Sequence, residues 1–282
     1  MVIVGPSSDA PGEHPALTAE LGAGEIEIVG RLRQASNQTF LARVSLDGAP
    51  EPAAEVDHDR VLQAVYKPLR GERPLWDFPE HTLGFREVAA YQVSRLGGFD
   101  VVPVTVLVDG PFGLGSLQVW VDSVQQEVDQ LVDLVPIDAV PERGWFPIVE
   151  GYGPDDQPIA VIHADDARLR LLAVFDALVN NADRKGGHIL ASRGGVFGVD
   201  HGICFHTEDK LRTLLWGWAG QPLLDHERVR IQRVIDGAVE ELEPLLAEDE
   251  IEALLLRAEG LLHSGRLPYP DSDWHTIPWP PF

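Results

Sequence analysis

The chain contains 282 residues, of which 44% are hydrophobic, and carries a formal net charge of −23 at pH 7. This length can bury a substantial core, in one two-lobed domain or in two small domains. The negative charge argues against nucleic acid as a partner and against simple attraction to anionic lipid. The one cysteine, Cys204, excludes an internal disulfide framework. Since there is no basic leader and no run of about twenty apolar residues, we expect a cytoplasmic protein without integral membrane contact.

The first part of the chain predicts a mobile segment followed by a hairpin. Residues 1–20 are rich in Pro, Gly, Ser and Glu, a composition typical of mobile segments. Residues 25–32 and 39–44 then predict two paired strands. The turn between these strands is rich in polar side chains, namely Ser36, Asn37 and Gln38.

A strand and a helix follow that can carry a paired lysine and glutamate. Residues 62–68 alternate like a half-buried strand, with Lys67 near its end and a proline that stops it. The chain has only three lysines among 22 basic residues, so a lysine at a strand end stands out. Residues 82–93 have apolar residues at helical spacing, and Glu87 lies among them. Glu87 can therefore point toward the strand.

The second half of the chain predicts mainly helices. Residues 115–122 alternate as one more strand, and from Val124 onward the pattern becomes helical. Two aspartates then cap a helix predicted over residues 167–180. Further helices are predicted over residues 228–246 and 249–262, and the Pro- and Trp-rich residues 267–282 form neither a helix nor a central strand.

The most informative stretch follows the helix predicted over residues 167–180. Asn-Asn-Ala-Asp-Arg-Lys-Gly-Gly-His-Ile-Leu occupies residues 180–190, and Gly-Val-Asp-His-Gly occupies residues 198–202. The layout suits phosphoryl transfer, in which Asp183 would orient the accepting hydroxyl and Asp200 would hold a metal ion on the phosphates. The same residues also suit an ordinary polar turn, because glycine pairs and charged side chains favour turns.

The order Lys67, Glu87, Asp183, Asp200 resembles that of the atypical protein-kinase-like superfamily, specifically the phosphatidylinositol 3-/4-kinases and the HipA-type kinases of bacteria. Their catalytic loop reads roughly Asp-Arg-His-x-x-Asn and is followed by Ile-Asp-Phe-Gly or a close variant. The resemblance implies an α+β fold with two kinase-like lobes. The implied organisation is a mobile segment at 1–20, a small β-rich N-lobe with one helix at 21–121, a larger, mainly helical C-lobe at 122–266, and a Pro/Trp-rich tail at 267–282.

The resemblance also implies ATP-dependent transfer of a phosphoryl group to a hydroxyl acceptor. That acceptor would be a small molecule, a lipid headgroup or a protein Ser or Thr. Lys67 would contact the α- and β-phosphates, and Glu87 would hold Lys67 in place. Arg184 and Lys185 would join Asp183 at the catalytic turn. Ser36, Asn37 and Gln38 would contact phosphate, the backbone of Gln118, Val119, Trp120 and Val121 would pair with adenine, and Lys67, Arg184, Lys185, Lys210 and Arg212 would form a basic island.

Two residues depart from the kinase pattern. His188 stands where these kinases carry a metal-binding asparagine, and His201 replaces the phenylalanine of Asp-Phe-Gly. A neutral imidazole suits Mn²⁺ better than Mg²⁺, so either metal is expected with ATP, held by Asp200 and His188. A catalytically weak pseudokinase is one alternative. Another is a metal-dependent phosphohydrolase, whose ligands would come from Asp183, His188, Asp200, His201 and His206.

Overall fold

The computed structural model of the chain describes residues 14–33, 35–46, 61–271 and 275–282. In these ranges the protein has an α+β fold, β-rich in its N-terminal part and helical in its C-terminal part, as the sequence predicts. The chain divides into two compact units. The first unit comprises Met1–Tyr91 and Pro103–Asp122, and the second comprises Gln92–Val102 and Ser123–Phe282.

A five-stranded antiparallel sheet forms the centre of the first unit. Its strands are β1 (Glu25–Arg31), β2 (Phe40–Ser45), β3 (Val61–Pro68), β4 (Thr105–Gly110) and β5 (Gly113–Val119), in the spatial order β1-β2-β3-β5-β4. The sequence predicts each of the first three strands to within one or two residues. In the central strand β3, every second side chain from Ala64 onward is fully buried, which is the period expected of a strand with one face on the core.

Helix α1 (His14–Ala23) also belongs to the first unit. Its Leu21 is buried, and the Thr18 Oγ1 lies 3.0 Å from the Tyr91 hydroxyl. The mobile segment predicted for residues 1–20 is therefore wrong for residues 14–20, because good helix formers with one buried leucine outweigh the Pro/Gly-rich composition of the whole stretch. The rest of that segment, residues 1–13, lies outside the described residues.

Helix α2 (Leu83–Gly97) carries Glu87 and ends four residues later than the sequence predicts. Its first turn is held by Glu72, whose carboxylate accepts hydrogen bonds from the N–H groups of Leu83 and Gly84 at 3.2 and 2.8 Å. These bonds satisfy two N–H groups that have no partner within the helix. Burial raises the pKa of the Glu72 carboxyl, and the two N–H donors oppose that rise.

Helices dominate the second unit. They are the short α3 (Gln125–Val128), α4 (Ala167–Val179), α5 (Asp225–Leu242) and α6 (Glu248–Ser264). Asp166 caps α4 by accepting hydrogen bonds from the backbone of Arg168 and Leu169, as the sequence predicts. Buried side chains follow one another through the whole length of α4, so this helix forms the core of the unit.

The second unit also contains a three-stranded sheet that the sequence pattern does not reveal. Its strands are β6 (Val132–Pro136), β7 (Trp145–Tyr152) and β8 (Pro158–Ala164), in the order β6-β8-β7. A helical pattern was expected from Val124 onward, but Val and Ile in β8 favour a strand that is buried on both faces. A hairpin of β9 (Ile189–Ser192) and β10 (Gly195–Gly198) follows α4.

The described part of the Pro/Trp-rich segment, residues 267–271 and 275–282, forms neither a helix nor a strand, in agreement with the sequence. Trp279 is 75% exposed. Among the described residues, no helix has the length and apolar character needed to cross a membrane.

His163 on β8 is a fully buried imidazole with two defined partners. Its Nδ1–H donates to the Ala164 carbonyl at 3.0 Å, so its Nε2 accepts from the Gly217 N–H at 2.9 Å. A proton on Nε2 would point at the Gly217 N–H, which is also a donor, so protonation of His163 would break this hydrogen bond. Burial lowers the pKa of His163 to about 4.

We therefore predict that His163 stays neutral at pH 5.5, and that it makes the native state less stable as pH falls. Because the folded pKa lies below the unfolded value of about 6.5, the unfolded state binds the proton first as pH falls. The resulting loss of native-state stability begins near pH 6.5 and is complete near pH 4. Nitrogen NMR of the ring, titrated from pH 7 to 4, measures this directly. Protonation of His163 near pH 6.5 would contradict the prediction.

Candidate functional site

Lys67 and Glu87 form an ion pair in the first unit. The Lys67 ammonium, on β3, donates a hydrogen bond to the Glu87 Oε1, on α2. The Glu87 side chain is only 3% exposed, whereas that of Lys67 is 21% exposed. A carboxylate this deeply buried requires a cationic partner, so Glu87 fixes the position of the lysine, whose side chain stays partly exposed. The structure thus brings together the two residues that the sequence pairs.

The polar turn between β1 and β2 is fastened to the segment that follows β3. The Asn37 Oδ1 accepts from the Arg73 N–H at 2.9 Å, and the Gln38 N–H donates to the Gly71 carbonyl at 3.0 Å. These two groups therefore have structural partners, while Ser36 remains exposed. Phosphate contact by the three residues stays a prediction.

The predicted adenine contacts meet a physical obstacle at β5. The Val119 N–H donates to the Val104 carbonyl and the Trp120 N–H to the Gln63 carbonyl, each at 2.9 Å. The Gln118 side chain donates to the Thr105 hydroxyl at 2.9 Å. Because sheet pairing uses these two N–H groups, the prediction that they pair with adenine is wrong, and only the other backbone groups of residues 118–121 remain as predicted contacts.

In the second unit, the turn after α4 presents Asp183 and Lys185 side by side. The Lys185 Nζ lies 3.1 Å from the Asp183 Oδ2, and each side chain is about one quarter exposed. The Asp183 N–H donates to the Asn181 Oδ1 at 3.0 Å, and the Asn181 Nδ2 donates to the Asp176 Oδ1 at 2.9 Å. A chain of hydrogen bonds therefore fixes the backbone of Asp183 to helix α4.

Arg184, between these two residues, points into the core. Its guanidinium forms a bidentate pair with Asp176, with Nε–Oδ2 and Nη2–Oδ1 distances of 2.9 Å, and both side chains are 0% exposed. The Arg184 Nη1 donates to the carbonyls of His188 and Val199 at 3.1 and 2.8 Å. The Arg184 Nη2 donates to the His201 Nε2 at 2.7 Å.

Burial disfavours the charged form of Arg184, but the Asp176 carboxylate outweighs it and holds the pKa of Arg184 above its ordinary value. Arg184 is therefore a charged structural anchor. Its predicted place among the ligand-contacting catalytic residues is wrong, because a fully buried guanidinium cannot reach a substrate. The predicted basic island is also wrong in part, since the Lys210 side chain is only 5% exposed.

His188 and Asp200 lie next to each other. The His188 Nε2 is 3.4 Å from the Asp200 Oδ2, and the His188 Nδ1–H donates to the Asp183 carbonyl at 2.9 Å. Burial lowers the pKa of His188, Arg184 acts in the same direction, and the carboxylates of Asp200 and Asp183 oppose them. The neutral ring thus directs the Nε2 lone pair toward Asp200. This is the arrangement of a metal-ligating histidine oriented by a backbone carbonyl.

Asp200 is well placed to bind a cation. Its side chain is 54% exposed, and its backbone is in the left-handed region, with φ of 62°. Such a conformation is uncommon outside glycine and clusters at functional sites. The pair formed by His188 and Asp200 fits a Mg²⁺ or Mn²⁺ ion whose other ligands are water or phosphate oxygens.

The ligand cluster of a phosphohydrolase is not assembled. Within the described ranges, no group of three or more His, Cys, Asp or Glu side chains could hold a metal ion. His201 is fully buried against Arg184, and the His206 Nδ1 accepts from the Glu208 N–H. The predicted gathering of five such ligands around one or two metals is therefore wrong.

Asp176, Asn180 and Asn181 support the turn, and the sequence left their roles unassigned. Asn180 ends α4 with φ of 55°, and its Nδ2 donates to the carbonyls of His206 and Glu208 at 3.0 and 2.7 Å. Asp176 lies on α4 at a spacing shared with buried leucines. A carboxylate in such a position signals a buried cationic partner, because unpaired carboxylates are almost never buried.

The fold and the site define an α+β protein with a partly buried lysine–glutamate pair in one unit, and with a charged turn and a His/Asp pair in the other. No protein-family model matches the chain. The chain is 45% identical to protein Rv2133c of Mycobacterium tuberculosis (strain ATCC 25618 / H37Rv) over 276 residues, which cover 94% of this chain and 95% of that protein. The chain belongs to the same family as Rv2133c.

We predict that Asp176→Asn destabilises the protein by about 3–5 kcal/mol, since it leaves the Arg184 guanidinium buried without a counter-charge. The double variant Asp176→Leu/Arg184→Met should recover much of this loss. Urea denaturation measures both changes. The control is Glu241→Gln, which breaks the partly exposed pair with Arg95 in the same unit and should cost about 0–1 kcal/mol. Equal costs for Asp176→Asn and Glu241→Gln would contradict the central role of the buried pair.

Proposed function

We propose that this protein is an ATP-dependent phosphotransferase of the kinase-like, phosphatidylinositol 3-/4-kinase-like type, which transfers the γ-phosphoryl group to a hydroxyl acceptor. The observation that carries the proposal is the ion pair between Lys67 and Glu87. A lysine on a strand, held by a buried glutamate from the next helix, is the part that kinases use to order the nucleotide phosphates. In a metal-dependent phosphohydrolase, the pair of Lys67 and Glu87 would have no role in the reaction.

The first unit would supply the nucleotide-ordering charge. The ammonium of Lys67 is a compact positive charge, and it would complement the α- and β-phosphates. Glu87 would not contact the nucleotide. Its role would be to hold Lys67 in one position, so that no free energy is spent on ordering a long side chain when ATP binds.

The second unit would supply the residues for transfer. Asp183 would accept the proton of the acceptor hydroxyl as its oxygen forms the new bond to the γ-phosphorus. The bond between that phosphorus and the oxygen bridging to the β-phosphate would break, which leaves ADP. Lys185, whose Nζ is 3.1 Å from Asp183, would stabilise the charge on the moving phosphoryl group.

Asp200 and His188 would hold the metal ion, Mg²⁺ or Mn²⁺. When bound, such an ion neutralises negative charge on the phosphate oxygens. The nitrogen ligand favours Mn²⁺, since Mg²⁺ prefers oxygen donors. Because His188 stands where the kinases that the sequence resembles carry an asparagine, a catalytically weak nucleotide-binding pseudokinase is the second candidate function.

The acceptor class is the open part of the proposal: a small molecule, a lipid headgroup and a protein Ser or Thr each carry the hydroxyl required. The burial of Lys210 weakens the case for a multiply phosphorylated headgroup, because it removes one of the two basic side chains in residues 203–218. A cytoplasmic location, with ATP and the acceptor as partners and without nucleic acid, remains a prediction.

The nucleotide-ordering role predicts that Lys67→Ala and Glu87→Gln each weaken ATP binding by about 10–100-fold, which corresponds to the loss of one charged contact. Calorimetric titration with ATP measures this effect, and thermal denaturation of each variant shows whether it is still folded. The matched control is Glu27→Gln, which breaks the exposed pair with Arg43 in the same unit. Unchanged ATP affinity in folded Lys67→Ala would make Lys67 an ordinary surface lysine.

Substitution of Asp183 and of Asp200 should impair different steps, namely phosphoryl transfer and metal-dependent ATP binding. Asp183→Asn should retain ATP binding and lose about 10²–10⁴-fold in ADP formation, because it removes the proton acceptor. Asp200→Asn should instead remove the dependence of ATP binding on Mn²⁺ or Mg²⁺. Asp155→Asn, in an exposed turn of the same unit, is the control. If both site variants lost metal-free ATP binding equally, both aspartates would be structural.

A further inference from the structure

Residues 275–282 lie directly against the turn that carries Asp183 and Lys185. The Gly186 N–H donates to the Pro281 carbonyl at 2.8 Å. The ring of Phe282 fills the space where a side chain at position 186 would be, so that an added Cβ would overlap three ring carbons. A side chain at position 186 would therefore displace the Phe282 ring.

A second contact holds the other end of the same segment. The Thr276 carbonyl accepts from the Thr213 N–H and from the Trp216 Nε1–H, each at 3.0 Å. Thr213 is itself paired with the turn, since it forms a parallel bridge with Arg184. The segment is thus fastened both to the turn and to the strand-like stretch that supports it.

The two glycines of the turn are its least restrained part. Two consecutive glycines give a backbone more conformational freedom than any other pair of residues would. An added Cβ at Gly187 would meet nothing within 4 Å, so the space beside this residue is open. The contacts at Gly186 therefore add a restraint to those that hold Asp183 and His188.

The segment is not held mainly by burial of its large side chains. Phe282 is 47% exposed and Trp279 is 75% exposed. The Pro281 carbonyl and the Phe282 ring instead contact the turn at Gly186, and the Thr276 carbonyl binds Thr213 and Trp216. A segment whose role was only to cover apolar surface would bury more of these two aromatic side chains.

We propose that residues 275–282 act as a positioning strap, in which Pro281 and Phe282 hold the Gly186 backbone and thereby keep Asp183 and Lys185 in the geometry for phosphoryl transfer. This inference rests on the proposed function. The strap residues touch neither nucleotide nor acceptor; they act through the turn. Loss of the strap therefore lowers kcat for transfer and leaves the KM for ATP nearly unchanged.

The test uses the full chain with the variants Gly186→Ala, Phe282→Ala and the double variant. The first introduces the overlap with the ring, the second removes the ring, and the double variant gives the new methyl group room. Gly151→Ala and Tyr152→Ala are the matched controls, because position 151 has open space around it and Tyr152 is an aromatic residue that is 78% exposed.

Hydrogen exchange of the peptide spanning residues 183–190 is the readout that does not depend on activity. Phe282→Ala and Gly186→Ala should speed exchange of the Gly186 amide by about tenfold or more, and should lower kcat by about tenfold or more with less than about a twofold change in KM for ATP. The double variant should lose no more than Phe282→Ala alone, because once the ring is removed the added methyl group meets no overlap.

Unchanged exchange in Phe282→Ala, or a double variant in which the two losses multiply, would overturn the strap. Faster exchange with an unchanged kcat would overturn its positioning role. If the wild-type protein transferred no phosphate at all, the proposed function would fail, and the exchange data would still decide whether the strap orders the turn.

Discussion

The buried ion pair between Asp176 and Arg184 is the interaction on which the candidate site depends. Removing two charges from water is costly, and the cost is offset only when every donor and acceptor is satisfied. Here the guanidinium also reaches the carbonyls of His188 and Val199, and so it connects helix α4 to the residues that precede Ile189 and Asp200. The Arg184 side chain thus fixes the backbone on both sides of the β9–β10 hairpin. This restrains the backbone next to the partly exposed Asp183 and Asp200.

The three side chains of Asp183-Arg184-Lys185 point in different directions and therefore have different roles. The first and third side chains are partly exposed and close to each other, whereas the middle one is fully buried. Three charged residues in a row look like a solvated turn. Their alternating directions instead place a structural charge between two residues available for chemistry. The left-handed conformations of Asn180 and Asp200 mark the places where the backbone reverses to make this possible.

The sequence predicts helices α2, α4, α5 and α6 and strands β1, β2, β3 and β5 because their periods are clear, and it misses the strands of the second sheet. The resemblance to kinases also pairs Lys67 with Glu87, and the structure shows this ion pair. The direction of Arg184 could not be predicted, because a charged side chain in a turn is usually solvated and only the buried Asp176 reverses that preference. Likewise, pairing of β3 and β4 with the end of β5 decides which N–H groups near Val119 are used, and such pairing is a tertiary property.

The most direct test of the phosphotransferase account is a thermal-shift titration of the wild-type protein with ATP, alone and with MgCl₂ or MnCl₂. A ligand that binds only the folded state stabilises it by about 2.7 kcal/mol at a hundredfold excess over its Kd. We predict that Tm rises with ATP and that the rise is largest with ATP and Mn²⁺ together, beyond the effect of either alone. An unchanged Tm in every combination at millimolar ATP would contradict the account.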